Sequence, residues 1–337
     1  MKRLLTRKTA FFFTFLAGMA LGFLLGRLYL PKMPHEFFEV RSGGYRYIRP
    51  LLECEPPGDS YINRELRSFR AIIEKEAQSC VDEGLAGELS VYFRDLNNGP
   101  WFSLNPQEKF VPASLLKVPL LITALRLAEK DASFLDRQVV VPKDFPVDWG
   151  QTIRPQELLK PGNTYTVRDL LRRMIDLSDN GATAMLDRVL PPGAMNETFA
   201  DLGVEINQSG DAEGFLSVEK YASFFRVLYN ASYVSRSSSE YALSLLSEVD
   251  FPEGIRAGTP AWIPVAQKFG HWQLPPQDPN PVQIHDCGIV YHPDRPYLLA
   301  VMTRGNEIAT LDKTIARISA AVYREVDAQT AGWSAGE

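Results

Sequence analysis

The sequence predicts an α/β chain of the α+β type: an antiparallel sheet flanked by helices, an all-helical block inserted between strands, and one N-terminal transmembrane helix. Three observations predict it. A basic stretch and a long apolar run open the chain. Strand-like segments lie near residue 90 and again beyond residue 265. Between them, from about 114 to 255, apolar residues recur at helical spacing. Strands joined by short turns pair antiparallel, and separated blocks of strand and helix argue for an α+β layout.

The opening segment is read first. Lys2, Arg3, Arg7 and Lys8 precede an uncharged run from Thr9 to Gly26 rich in Phe and Leu. At ~1.5 Å rise per residue this run spans about 27 Å, close to the hydrocarbon thickness of a bilayer. Arg27 can snorkel and Tyr29 can sit at the interface, which extends the span to residues 9–30 as a signal-anchor. The basic end, residues 1–8, stays inside, so the remainder lies on the extracytoplasmic side of the membrane. A cleaved signal peptide ending at Gly18-Met19-Ala20 is the competing reading, and the apolar run that continues past Ala20 favours the anchor. Both readings export the domain.

Residues 31–61 carry Pro31, Pro34, Gly43, Gly44, Pro50, Pro56, Pro57 and Gly58 and read as a linker, with a short extended piece at Tyr45–Leu52. The domain follows over 62–326, and 327–337 is a tail. Residues 62–83 have a helical face of Leu66, Phe69, Ile72, Ile73 and Ala77. Leu89–Leu96 alternates like a strand, and Asn97-Asn98-Gly99-Pro100 turns it into Trp101–Leu104. Helices are expected at Ser114–Ala128, Thr166–Leu177 with a Thr cap, Ala182–Leu190, Ser217–Leu228 with Ser217 as cap, and Glu240–Val249. Strand character returns at Val265–Lys268, Gly288–Tyr291 and Tyr297–Met302, before a last helix over Leu311–Val326.

Composition excludes several function classes. Apolar residues make up 45% and charged residues 23% of 337, enough to bury a core. The net charge is −5 and no basic stripe follows the N-terminus, so nucleic acid is a poor partner. Cys54, Cys80 and Cys287 form no CxxC pair; a Cys54–Cys80 bridge is allowed but not dictated. The histidines make no HExxH or HxH pattern, and neither metal nor other cofactor is implied.

Three short motifs carry chemistry. Ser114-Leu115-Leu116-Lys117 opens an apolar helix, where residues three apart share a face and a Lys amine can reach a Ser hydroxyl. Such a hydroxyl needs a base to become a nucleophile, and burial lowers a lysine's pKa enough to make it one. One SxxK is weak by itself: Ser217-Val218-Glu219-Lys220 matches too and is better read as a helix cap. Ser178-Asp179-Asn180 stands between two helices, where Ser and Asn also serve as ordinary caps. Lys268-Phe269-Gly270 ends the Val265 strand. A strand Lys often only discourages edge pairing, whereas a Gly permits close backbone approach to a ligand.

Taken together, SxxK, SDN and KxG in that order resemble the signature of the class A β-lactamase and penicillin-binding serine hydrolases. The resemblance covers about residues 62–326 and implies a β-lactamase/transpeptidase-like fold: five antiparallel strands flanked by helices, with the helical lobe between the second and third. It implies Ser114 as the acylated nucleophile, Lys117 as its base and Ser178 as proton relay. Asn180 would hold a substrate amide, Lys268 and Gly270 would form the far wall, and the amides of Ser114 and His271 would bind the oxyanion. The implied substrate is a β-lactam or a peptidoglycan-type peptide.

The sequence also departs from that family. Antibiotic-destroying members carry a loop glutamate in an ExxLN pattern that releases the acyl-enzyme. The corresponding interval, Val204 to Leu216, is short and holds only Glu205, Asp211 and Glu213 as acids. Phe269 stands where a hydroxyl would bind a substrate carboxylate, and Cys287, beside Asp286, where many relatives place an arginine; Arg304 is a possible substitute. Three readings follow: a serine acyl-hydrolase, a D,D-peptidase with slow deacylation, or a catalytically silent wall-binding module. Retention of Ser114, Lys117, Ser178, Asn180 and Lys268 argues against the last.

Overall fold

In a computed structural model, residues 39–41, 43–54, 66–97, 99–146, 157–204, 216–274 and 277–334 are described. The expected anchor at 9–30 and the whole interval 205–215 fall outside them. Among the described residues no helix is long and apolar enough to cross a membrane.

The sheet has the order β4-β3-β9-β8-β7. Its strands are β3 (Glu88–Asp95), β4 (Trp101–Leu104), β7 (Val265–Gln273), β8 (Val282–Val290) and β9 (Tyr297–Gly305), all paired antiparallel. The earlier strands β1 (Glu39–Arg41) and β2 (Leu51–Cys54) form a small ribbon, as do β5 (Gln138–Val140) and β6 (Thr164–Thr166). The helical lobe enters between β4 and β7, as expected. Every residue of β8 is buried, which is why its sequence does not alternate: both faces are covered.

One face carries α1 (Arg67–Asp82) and the terminal helix. Phe69, Ile73, Ala77 and Cys80 recur at helical spacing and are buried. The terminal helix lies against α1, tied by Arg317 to Glu76 at 2.7 Å and to Glu83 at 2.7 Å. The lobe on the other side comprises α2 (Lys117–Lys130), α3 (Val167–Asp176), α4 (Asn180–Val189), α5 (Ala194–Asp201), α6 (Val218–Tyr229) and α7 (Arg236–Ser247). A short α8 (Gly254–Ala257) leads into β7, and α9 (Ile308–Ser334) is the terminal helix. Thr166 caps α3 in a reciprocal box: its hydroxyl accepts from Asp169 N–H at 3.0 Å, and Asp169 accepts from Thr166 N–H at 3.0 Å.

Several boundaries differ from expectation. The strand expected to stop at Lys268 continues to Gln273, because its polar end still pairs with β8. Helix α7 starts at Arg236, capped by the Ser235 hydroxyl, although Ser237-Ser238-Ser239 are weak helix formers. The tail expected from 327 is helical to Ser334, and Asp327 and Gln329 meet His292 and Arg295.

Part of the expected linker is strapped to the lobe. The Glu240 carboxylate accepts from the backbone N–H groups of Arg46, Tyr47 and Ile48, while Arg49 N–H donates to Tyr229 O at 3.0 Å. Cys80 and Cys287 are free and buried, so no Cys54–Cys80 bridge forms.

Candidate active site

The segment before Ser114 is held by side chains from β8. Val111 N–H donates to Gln283 Oε1 at 3.0 Å. His285 Nδ1 accepts from Thr303 N–H at 3.2 Å, so its Nε2 carries the hydrogen and donates to Val111 O at 3.1 Å. Burial holds His285 neutral, with its pKa pushed down to about 3. Phe110 closes the other side through a backbone bridge to Leu216. The chain then turns through Ala113, whose φ of 48° is left-handed, into a 3-10 turn over Ala113–Leu116. In a 3-10 turn residues i and i+3 eclipse, which stacks Ser114 and Lys117 on one side.

Lys117 is buried at the start of α2 and faces the α3–α4 junction. Its Nζ donates to Ser178 O at 2.6 Å, Ser178 Oγ at 3.0 Å and Asn180 Oδ1 at 2.7 Å. Burial lowers its pKa to about 7, opposed by the carboxylate of Asp179. Ser114 is half-buried, and its hydroxyl makes no hydrogen bond with Lys117 among the described contacts. Resting sites often show long catalytic contacts that tighten on substrate.

Ser178 sits at a left-handed φ of 53°, which tips its side chain inward from between two helices. Its Oγ accepts from Lys117 Nζ and from Lys268 Nζ, each at 3.0 Å. One hydroxyl thus links both amines. Asp179 caps α4 by accepting from Ala182 N–H at 3.0 Å.

Lys268 is fully buried, and burial pushes its pKa well down. Its Nζ lies over the Phe269 ring, 4.1 Å from the centroid, and neither Lys268 nor Gly270 lines the cleft. The expected far wall is built instead by Phe269, His271 and Trp272. Gly270 explains how close β7 comes to the nucleophile turn: a Cβ there would stand 2.7 Å from Pro112 O and 3.1 Å from Leu115 N. His271 is half-buried with both ring nitrogens unpartnered, and burial lowers its pKa. Arg304 turns to Glu88, Glu108 and the Lys109 carbonyl at the outer edge and does not line the cleft.

The cleft between these elements has a volume of about 630 Å³, and Ser114, Lys117, Ser178 and Asn180 share it. Sequence reading missed the supports, chiefly His285 and Gln283, and Thr183 and Asp187 on the cleft side of α4. Asn180, Thr183 and Asp187 are spaced to lie on one helix face, a signal present in the sequence. Among the described residues no cluster of His, Cys, Asp or Glu is arranged to hold a metal ion.

The model of the Beta-lactamase2 family, described as "Beta-lactamase enzyme family", matches residues 72–326. No curated protein matches the chain. Solved structures share its fold. An acyl-enzyme complex of a PBP-A variant with penicillin G is 20% identical with a TM-score of 0.63, covering 77% of this chain and 97% of that one. A β-lactamase from Chitinophaga pinensis is 21% identical with a TM-score of 0.64, covering 75% and 99%. The extended-spectrum β-lactamase TLA-3 is 16% identical with a TM-score of 0.67, covering 75% and 98%.

Proposed function

The chain belongs to the beta-lactamase enzyme family, and from that premise we propose that it is a membrane-anchored, extracytoplasmic serine hydrolase that forms an acyl-enzyme on Ser114. Its substrates are a β-lactam or a cell-wall peptide amide. The observation that carries the mechanism is that Ser114, Lys117 and Ser178 share one cleft, with Ser178 Oγ bridging Lys117 to the buried Lys268. Lys117, neutral above about pH 7, takes the Ser114 proton as Oγ attacks the carbonyl carbon. The proton passes through Ser178 to the leaving nitrogen as the C–N bond breaks. Lys268 polarises Ser178, and the amides of Ser114 and His271 are the oxyanion donors. The penicillin G adduct of PBP-A supports a β-lactam as one acyl donor. Anchoring rests on the basic flank and apolar run of residues 1–30.

A D,D-peptidase that deacylates slowly is the second reading. One sequence feature bears on the choice: Glu213 lies in the Val204 to Leu216 interval, where the family's deacylating members carry their loop glutamate. Exposure to a fluorescent penicillin should label the wild type and leave Ser114→Ala unlabelled. A label that decays quickly in wild type and persists in Glu213→Gln supports the hydrolase; a label that persists in both supports the peptidase. Equal labelling of Ser114→Ala would end the acyl-enzyme reading.

A further inference from the structure

The wall that faces Ser114 offers no free positive charge. An ammonium has three donors, and those of Lys268 meet Ser178 Oγ at 3.0 Å, Phe269 O at 3.1 Å and the face of the Phe269 ring at 4.1 Å. That ring is 4% exposed and stacks on Phe251 with centroids 4.1 Å apart and planes 17° from parallel. The pair therefore forms a fixed apolar plate, and Phe269 lines the cleft where Lys268 does not. Lys117 is likewise committed to Ser178 and Asn180. Arg304 is held at the outer edge by Glu88 and Glu108. His271 is the remaining basic side chain of the described lining, and burial keeps it neutral. At the opposite rim stands the carboxyl of Asp187. A carboxylate brought against Phe269 would lose its hydration and gain no counter-charge, an unfavourable exchange.

We propose that the acyl donor of this site is uncharged where it meets the Phe269–Phe251 plate: an ester or amide whose leaving side carries no carboxylate beside the scissile bond. The inference rests on the acyl-enzyme reading above and names its substrate class. In the step itself the Ser114 Oγ–C bond forms, the C–N or C–O bond breaks, and the Ser114 proton leaves on the departing atom. A terminal carboxylate, as in a free penicillin or a C-terminal dipeptide, slows acylation without preventing it. A capped or internal amide fits.

The test is a matched pair, benzylpenicillin and its methyl ester, with the full-length protein. Adduct formation on Ser114 is followed by intact mass, each rate divided by that compound's own alkaline hydrolysis rate. The ester should acylate wild type at least ~10-fold faster, a difference of about 1.4 kcal/mol. Phe269→Thr, which opens the plate to the Lys268 ammonium, should move the ratio at least ~10-fold toward the free acid. Phe269→Leu, which keeps the wall apolar, should retain the ester preference. Equal rates, or a faster free acid, in wild type would overturn the proposal while leaving the acyl-enzyme reading intact. The wild-type ratio decides the matter even if Phe269→Thr does not fold. No adduct from either compound would overturn both.

Discussion

At the scale of single residues, Lys117 controls the pH response. Its pKa is lowered to about 7 chiefly by burial. A base works deprotonated, so acylation should fall as pH drops below about 7, with one-proton dependence, and level off above it. Stopped-flow acylation between pH 5.5 and 9 measures this, and a flat profile would remove Lys117 from the role. Ser178→Ala, which removes the hydroxyl that links the two amines, should slow acylation ~10²–10⁴-fold with little change in melting temperature. Ser114, Lys117, Ser178 and Asn180 were legible because each falls in a short motif of fixed spacing. Lys268 was legible as a residue but not as a position. Nothing in Lys268-Phe269-Gly270 says that the ring would fold over the ammonium, because that placement depends on Phe251 from another part of the chain.

Elements place those residues, and the tightest fit is between β7 and the Ser114 turn. Gly270→Ala puts a methyl group 2.7 Å from Pro112 O, so strand and turn must separate. The expected cost is about 1–3 kcal/mol, with a larger loss in acylation rate than the melt alone would suggest. Calorimetry and penicillin labelling on one sample check it; a normal labelling rate would show that the contact does not set the geometry. Strongly periodic helices such as α3 and α6 were legible to within a residue or two. Ser217-Val218-Glu219-Lys220 is the cap it was read as, Ser217 Oγ accepting from Lys220 N–H at 3.5 Å. Less visible were α5, which starts after the left-handed Gly193, and the polar half of β7. Those elements depend on neighbours rather than on their own pattern. The polar run of β8 is the clearest case: Gln283 and His285 look like loop or surface residues, yet they are buried because they hold Val111.

For the whole molecule, the order of blocks in the sequence was enough to specify the architecture. Two strands, a helical block and three strands close here as one antiparallel sheet with an inserted lobe. What the order did not reveal is how far the folded body extends at each end. Residues 43–50 belong to it, because Glu240 gathers the N–H groups of Arg46, Tyr47 and Ile48. Glu240→Ala should cost about 1–3 kcal/mol and speed hydrogen exchange at those amides. Unchanged exchange there would show that the strap is held by Tyr47 and Tyr291 instead.

The chain's thiols add a practical consequence. Cys80 and Cys287 are both unbridged, so the fold around them forms without an oxidant. Packing alone must carry it through an oxidising or a reducing environment. The two interior sulfurs then serve as separate clocks. Cys80 becomes reactive when α1 lifts away, and Cys287, in the interior strand β8, only when the sheet itself comes apart.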